Sequence, residues 1–104
     1  MSSDRREAAR VTLELWVEES MEREVYFQRA SNLSIGGLFL EGTLPQEPGT
    51  VVRVRFTLPG ATAPIEARAE IVHAPESQGR GMGLRFVELS EADRAGIEAF
   101  VGSR

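Results

Sequence analysis

At 104 residues the chain has room for one core and not two, its 41% hydrophobic share is ordinary for a globular protein, and no apolar run approaches the roughly 20 residues that a membrane-spanning helix needs. The absence of cysteine excludes disulfides, thiolate nucleophiles and sulfur-ligated zinc. A net charge of −4 argues against a sequence-independent grip on nucleic acid, because that affinity comes from neutralising many phosphates.

The chain opens on MSSDRREAAR, a polar stretch without the apolar centre of a secretory signal. A cytoplasmic protein, or a module of a larger cytoplasmic chain, is expected, with no insertion into a membrane. All twelve basic residues are arginine, and Arg5, Arg6 and Arg10 crowd the amino terminus. A guanidinium offers a planar fork of donors that fits phosphate or a guanine edge, where lysine offers a point charge.

Val11, Leu13, Leu15 and Val17 share one parity and predict a half-buried strand. Glu18 to Glu22 reads as a polar turn, with Glu18, Glu19, Glu22 and Glu24 in solvent. Val25 to Ala30 follows as a second strand, since Val25, Tyr26 and Phe27 favour a pleated surface. After Ser31 to Gly37, Leu38-Phe39-Leu40 predicts a third strand, closed by a turn at Pro45 to Gly49.

Val51 to Leu58 alternates with Val52, Val54, Phe56 and Leu58 inward, and Ile65 to His73 alternates with Ile65, Ala67, Ala69 and Ile71 inward. Pro75 to Gly79 marks another turn before a sixth strand with Met82, Leu84 and Phe86. Six short strands with no helix between them imply antiparallel pairing in a barrel or sandwich. Ser90 and Asp93 then resemble a capping box, and Ile97, Phe100 and Val101 give the following helix an apolar face against the strands. Trp16 falls on the outward parity, open to a partner contact, but packing under this helix is the preferred expectation.

Catalytic chemistry finds no seat. His73 has no serine or metal-ligand partner at recognisable spacing and reads as a half-buried strand-end residue. No phosphate loop or dinucleotide fingerprint opens a helix. The chain is therefore read as a binding module and not an enzyme, without metal or cofactor.

Two clusters remain. Arg6 and Arg10 satisfy RxxxR immediately before the first strand, and Asn32, Ser34 and Gly37 satisfy (D/N)xSxxG, with 21 residues between Arg10 and Asn32. Taken singly, the first reads as a solvated terminus and the second as a bulged turn. Together, in this order and on this strand pattern, they resemble the PilZ family of bacterial cyclic di-GMP receptors. Gly81-Met82-Gly83-Leu84-Arg85-Phe86 also looks like the last strand of such domains.

The resemblance implies a mainly β fold, a six-stranded antiparallel barrel with a carboxyl-terminal helix at about residues 90–102, in a domain spanning 11–104 behind a flexible arginine arm at 1–10. It implies that Arg6 and Arg10 bind phosphates or guanine edges of cyclic di-GMP with help from Arg5. Asn32 and Ser34 would then hydrogen-bond a guanine, while Gly36 and Gly37 let the backbone come close. Ordering of the arm would change the surface shown to an unidentified protein partner, in motility, surface polysaccharide or other regulation. The alternative is an adaptor of the same fold that does not bind the nucleotide. Single-stranded nucleic acid binding would want aromatic residues interleaved with positive charge and is not expected.

Overall fold

The alternation of apolar and polar residues builds a closed barrel in this computed structural model, which describes residues 10–41, 46–72 and 81–103. Its strands are β1 (Val11–Met21), β2 (Glu24–Ser34), β3 (Gly37–Glu41), β4 (Val51–Phe56), β5 (Ile65–Val72) and β6 (Gly81–Leu89), followed by helix α1 (Glu91–Gly102). All pairings are antiparallel, in the order β1-β2-β3-β6-β5-β4 around the wall. Closure removes the open edges that make flat sheets aggregate. It also sets β3 and β4 on opposite sides of the barrel.

Alternate residues fill the interior: Leu15 and Val17 from β1, Val52, Val54 and Phe56 from β4, Ile65, Ala67, Ala69 and Ile71 from β5, and Met82 and Leu84 from β6. Leu58 lies beyond the end of β4 yet is buried, so its side chain points inward as the alternation predicts while the ladder stops at Phe56. Antiparallel order gives the barrel two unlike ends. The β1–β2 turn and the starts of β4 and β6 share one; Arg10, the β2–β3 turn and α1 share the other.

Three expectations need correction. The polar run Glu18 to Glu22 is mostly strand, because pairing to both β2 and β4 satisfies its backbone groups; the turn shrinks to Glu22 and Arg23, with Glu22 at φ 57°. Glu19 is accordingly buried at 1% exposure instead of solvated, one carboxyl oxygen accepting from Gln28 Nε2 at 2.6 Å and the other left without a partner. Trp16, finally, is 66% exposed and uncovered.

The reason for that exposure lies in the helix. Ser90 caps α1 by accepting from the Asp93 amide at 3.1 Å, and Asp93 Oδ2 accepts from the Glu66 amide at 3.5 Å, which ties the first turn to the start of β5. Ile97 is fully buried, with Phe100 and Val101 packed against the core. The helix thus stoppers one end of the barrel and does not lie along the outer wall, where Trp16 stands. Arg5, Arg6, Pro45, His73 and the Pro75 to Gly79 turn lie outside the described residues.

Candidate functional site

A regular strand cannot turn Ala30 and Leu33 to the same side, since side chains alternate with a period of two. Both are nevertheless fully buried. The register shift between Ala30 and Asn32 in the β2–β3 ladder resolves the conflict: a bulge at Ser31 resets the parity and leaves Asn32 on the outer wall, opposite Thr12 on one side and Phe39 on the other. Asn32 is half-buried there.

Arg10, immediately before β1, extends over this wall and donates from Nη1 to Asn32 Oδ1 at 2.6 Å. The structure therefore joins the two sequence clusters through one residue of each. Among the described residues no carboxylate pairs with Arg10, and a guanidinium carries five N–H donors, so most of its fork remains free for an anion.

Ser34 has a different job from the one expected. It is buried, and its hydroxyl accepts from the Gly36 amide at 3.2 Å and faces the Gly37 carbonyl at 3.5 Å. These contacts brace the two-residue turn at Ile35 and Gly36. The two glycines also divide their labour. A Cβ on Gly37 would stand 1.9 Å from the Leu84 carbonyl oxygen, so its missing side chain makes room for β6. Gly36 is exposed, and a Cβ there would meet nothing closer than the Ser34 hydroxyl at 3.8 Å; space beside the turn is at Gly36.

The ladder adds a residue that sequence reasoning did not single out. Gly37 pairs with Arg85 of β6, whose exposed guanidinium is held by Glu70 of the neighbouring strand. Outward alternation between Met82, Leu84 and Phe86 signals its direction, but its nearness to Gly37 depends on a pairing between distant strands. Arg10, Asn32, Gly36 and Arg85 thus occupy one outer face at the β2–β3 turn: two cations, one neutral amide and an open backbone segment. Among the described residues no cluster of histidine and acidic groups could hold a metal ion, and no helix is long and apolar enough to cross a membrane.

A groove of about 610 Å³ lies on the opposite side of the barrel over β1, β4 and β5, lined by Glu18, Arg53, Arg55, Glu66 and Arg68 among others. Its charges largely cancel, with Arg55 at 3.5 Å from Glu66 and Arg68 at 3.6 Å from Glu88. The β2–β3 face, where no carboxylate among the described residues pairs with Arg10, suits an anionic ligand better.

A solved structure with the same architecture is that of the Bacillus subtilis inhibitor of motility (MotI/DgrA), 24% identical, with a TM-score of 0.78 over 92% of this chain. The chain spans 49% of that protein's length, and the likeness shows the fold alone. Among curated proteins none matches. The PilZ domain family matches residues 4–103, so both arginine and asparagine clusters fall inside the match, and this chain belongs to the PilZ domain family.

Proposed function

We propose that this domain is a receptor for cyclic di-GMP, bound at the β2–β3 turn under an arginine arm formed by residues 1–10. The observation that carries the reading is the contact from Arg10 to Asn32, which seats at the turn a guanidinium that no carboxylate among the described residues pairs with. Cyclic di-GMP presents two phosphates and the O6 and N7 acceptors of guanine, all matched by the bidentate fork of arginine, whose plane also stacks on purines. Asn32 presents an amide to a guanine edge, Gly36 leaves room for the ligand beside the backbone, and Ser34 holds the turn in shape. Arg5 and Arg6 complete the clamp from the part of the arm outside the described residues.

The domain carries no catalytic role in this reading. Ligand exchanges the Arg10 to Asn32 contact for contacts to nucleotide and orders the arm, and the altered surface is what a protein partner reads. The Bacillus subtilis structure is described as an inhibitor of motility, which favours motility machinery as the kind of partner. Isothermal titration with cyclic di-GMP tests the proposal. Saturable binding by the native chain, weakened about tenfold or more in Arg10→Ala, is expected, because hydrogen bonds to charged groups contribute about 1.5–3 kcal/mol. No heat at saturating ligand, with a partner bound equally by native and Arg10→Ala chains, would instead favour the adaptor that has lost the nucleotide.

A further inference from the structure

Opposite residues in an antiparallel pair share a face, and the β1–β2 register sets Trp16 opposite Arg29, Glu18 opposite Phe27 and Ser20 opposite Val25. Leu15, Val17 and Glu19 are buried, so all six of these side chains point out of the barrel. The first four form a square with aromatic rings on one diagonal and opposite charges on the other. Phe27 is 71% exposed and Val25 49%, and with Trp16 they make an apolar surface that the described residues leave uncovered. Such surfaces are uncommon on monomers and mark association sites.

The charges decide what covers it. Arg29 makes no ion pair among the described residues, and Glu18 reaches Arg55 only at 3.9 Å. A foreign partner would be selected by a surface of one sign; a square with both signs on one diagonal is complementary to itself. A two-fold axis along the aromatic diagonal sets Trp16 on Trp16 and Phe27 on Phe27, and brings Arg29 of each copy to Glu18 of the other, the arrangement of an isologous interface. From this geometry we infer that the outer face of the β1–β2 hairpin is the seam of a symmetric homodimer. Part of each apolar side chain is already covered, so the three from each copy bury about 750 Å² in total, and Glu18 and Arg29 bring the seam to about 1,000 Å², near the lower limit for specific association. The dimer is therefore weak and reversible. It leaves the β2–β3 turn open and does not depend on whether nucleotide binds there.

Sedimentation velocity across a concentration series tests this, with emission from the single tryptophan as a second readout. Expected are a monomer–dimer equilibrium and a blue shift of Trp16 as dimer forms, both abolished by Phe27→Asp. Glu18→Arg and Arg29→Glu should each weaken association about tenfold, while mixing these two variants restores it, since the mixed pair meets only opposite charges across the axis. Unchanged thermal midpoints show that these exposed substitutions leave the fold intact. A native chain that stays monomeric throughout, or a mixture no tighter than its parts, overturns the inference.

Discussion

Strand β2 passes through two unlike regions of the same barrel. Its first half, Glu24 to Arg29, exposes Val25, Tyr26 and Phe27 on a long hairpin, while its second half, from Asn32 to Ser34, runs into a braced turn with a charged and polar face. The bulge at Ser31 divides them. Before it, the strand spends large apolar side chains on the outer wall; after it, Asn32 faces outward and a small residue, Gly37, lets the chain press against β6. The contrast teaches that one strand can serve two recognition chemistries if a single inserted residue resets its parity.

The largest effect that breaks this contrast is steric. Gly37→Ala should destabilise the domain by about 3 kcal/mol or more, because overpacking against backbone cannot be relieved by a side-chain rotation. The denaturant midpoint checks it, and a small loss would mean that β3 and β6 separate more easily than their contact implies. Asn32→Ala removes the Arg10 anchor without touching the interior. Its stability should fall by less than about 1 kcal/mol while the affinity for cyclic di-GMP falls about tenfold, the reverse of the usual pattern for a buried substitution.

The hairpin half can be sharpened from its interior. Glu19 leaves one buried carboxyl oxygen without a partner and satisfies the other with Gln28. Replacing both residues by leucine should raise stability by about 1 kcal/mol, whereas Glu19→Leu alone strands the Gln28 amide and should gain less. Chemical denaturation of the three chains gives the comparison.

The smallest effect is at Tyr26, whose hydroxyl donates to Glu24 at 2.5 Å. That hydrogen bond, reinforced by the negative charges of Glu24 and Glu19, raises its pKa above the ordinary phenol value of 10.0. A pKa raised by folding means stabilisation that is present below the unfolded value and lost as pH climbs through the folded one. Absorbance titration of this single tyrosine should therefore show a raised midpoint that returns toward the ordinary value in Glu24→Gln.

Much of the barrel was legible because β4 and β5 alternate without interruption and each buries one parity, as their residues announce. The hairpin was less so. Glu18 to Glu22 is polar enough to read as a turn, yet backbone pairing to β2 and β4 carries the strand as far as Met21, and Glu19 is buried within it. Trp16 was placed on the correct face but given the wrong cover, since local periodicity says which side a residue faces and nothing about where a distant helix docks.

At the candidate site, Arg10 and Asn32 were readable as motif residues and do meet. Ser34 and Gly37 carry the same motif for reasons internal to the fold, one bracing the turn and the other admitting a carbonyl. Arg85 was hidden because its place beside Gly37 depends on a strand register that no short-range pattern encodes.

The most direct measurement is a residue-by-residue NMR titration with cyclic di-GMP. Saturable shifts at the amides of Asn32, Gly36, Gly37 and Arg85, with Val25 to Arg29 unmoved, are the predicted result. Shifts centred on the hairpin, or none at saturating nucleotide, would contradict the assignment of the β2–β3 turn as the receptor site.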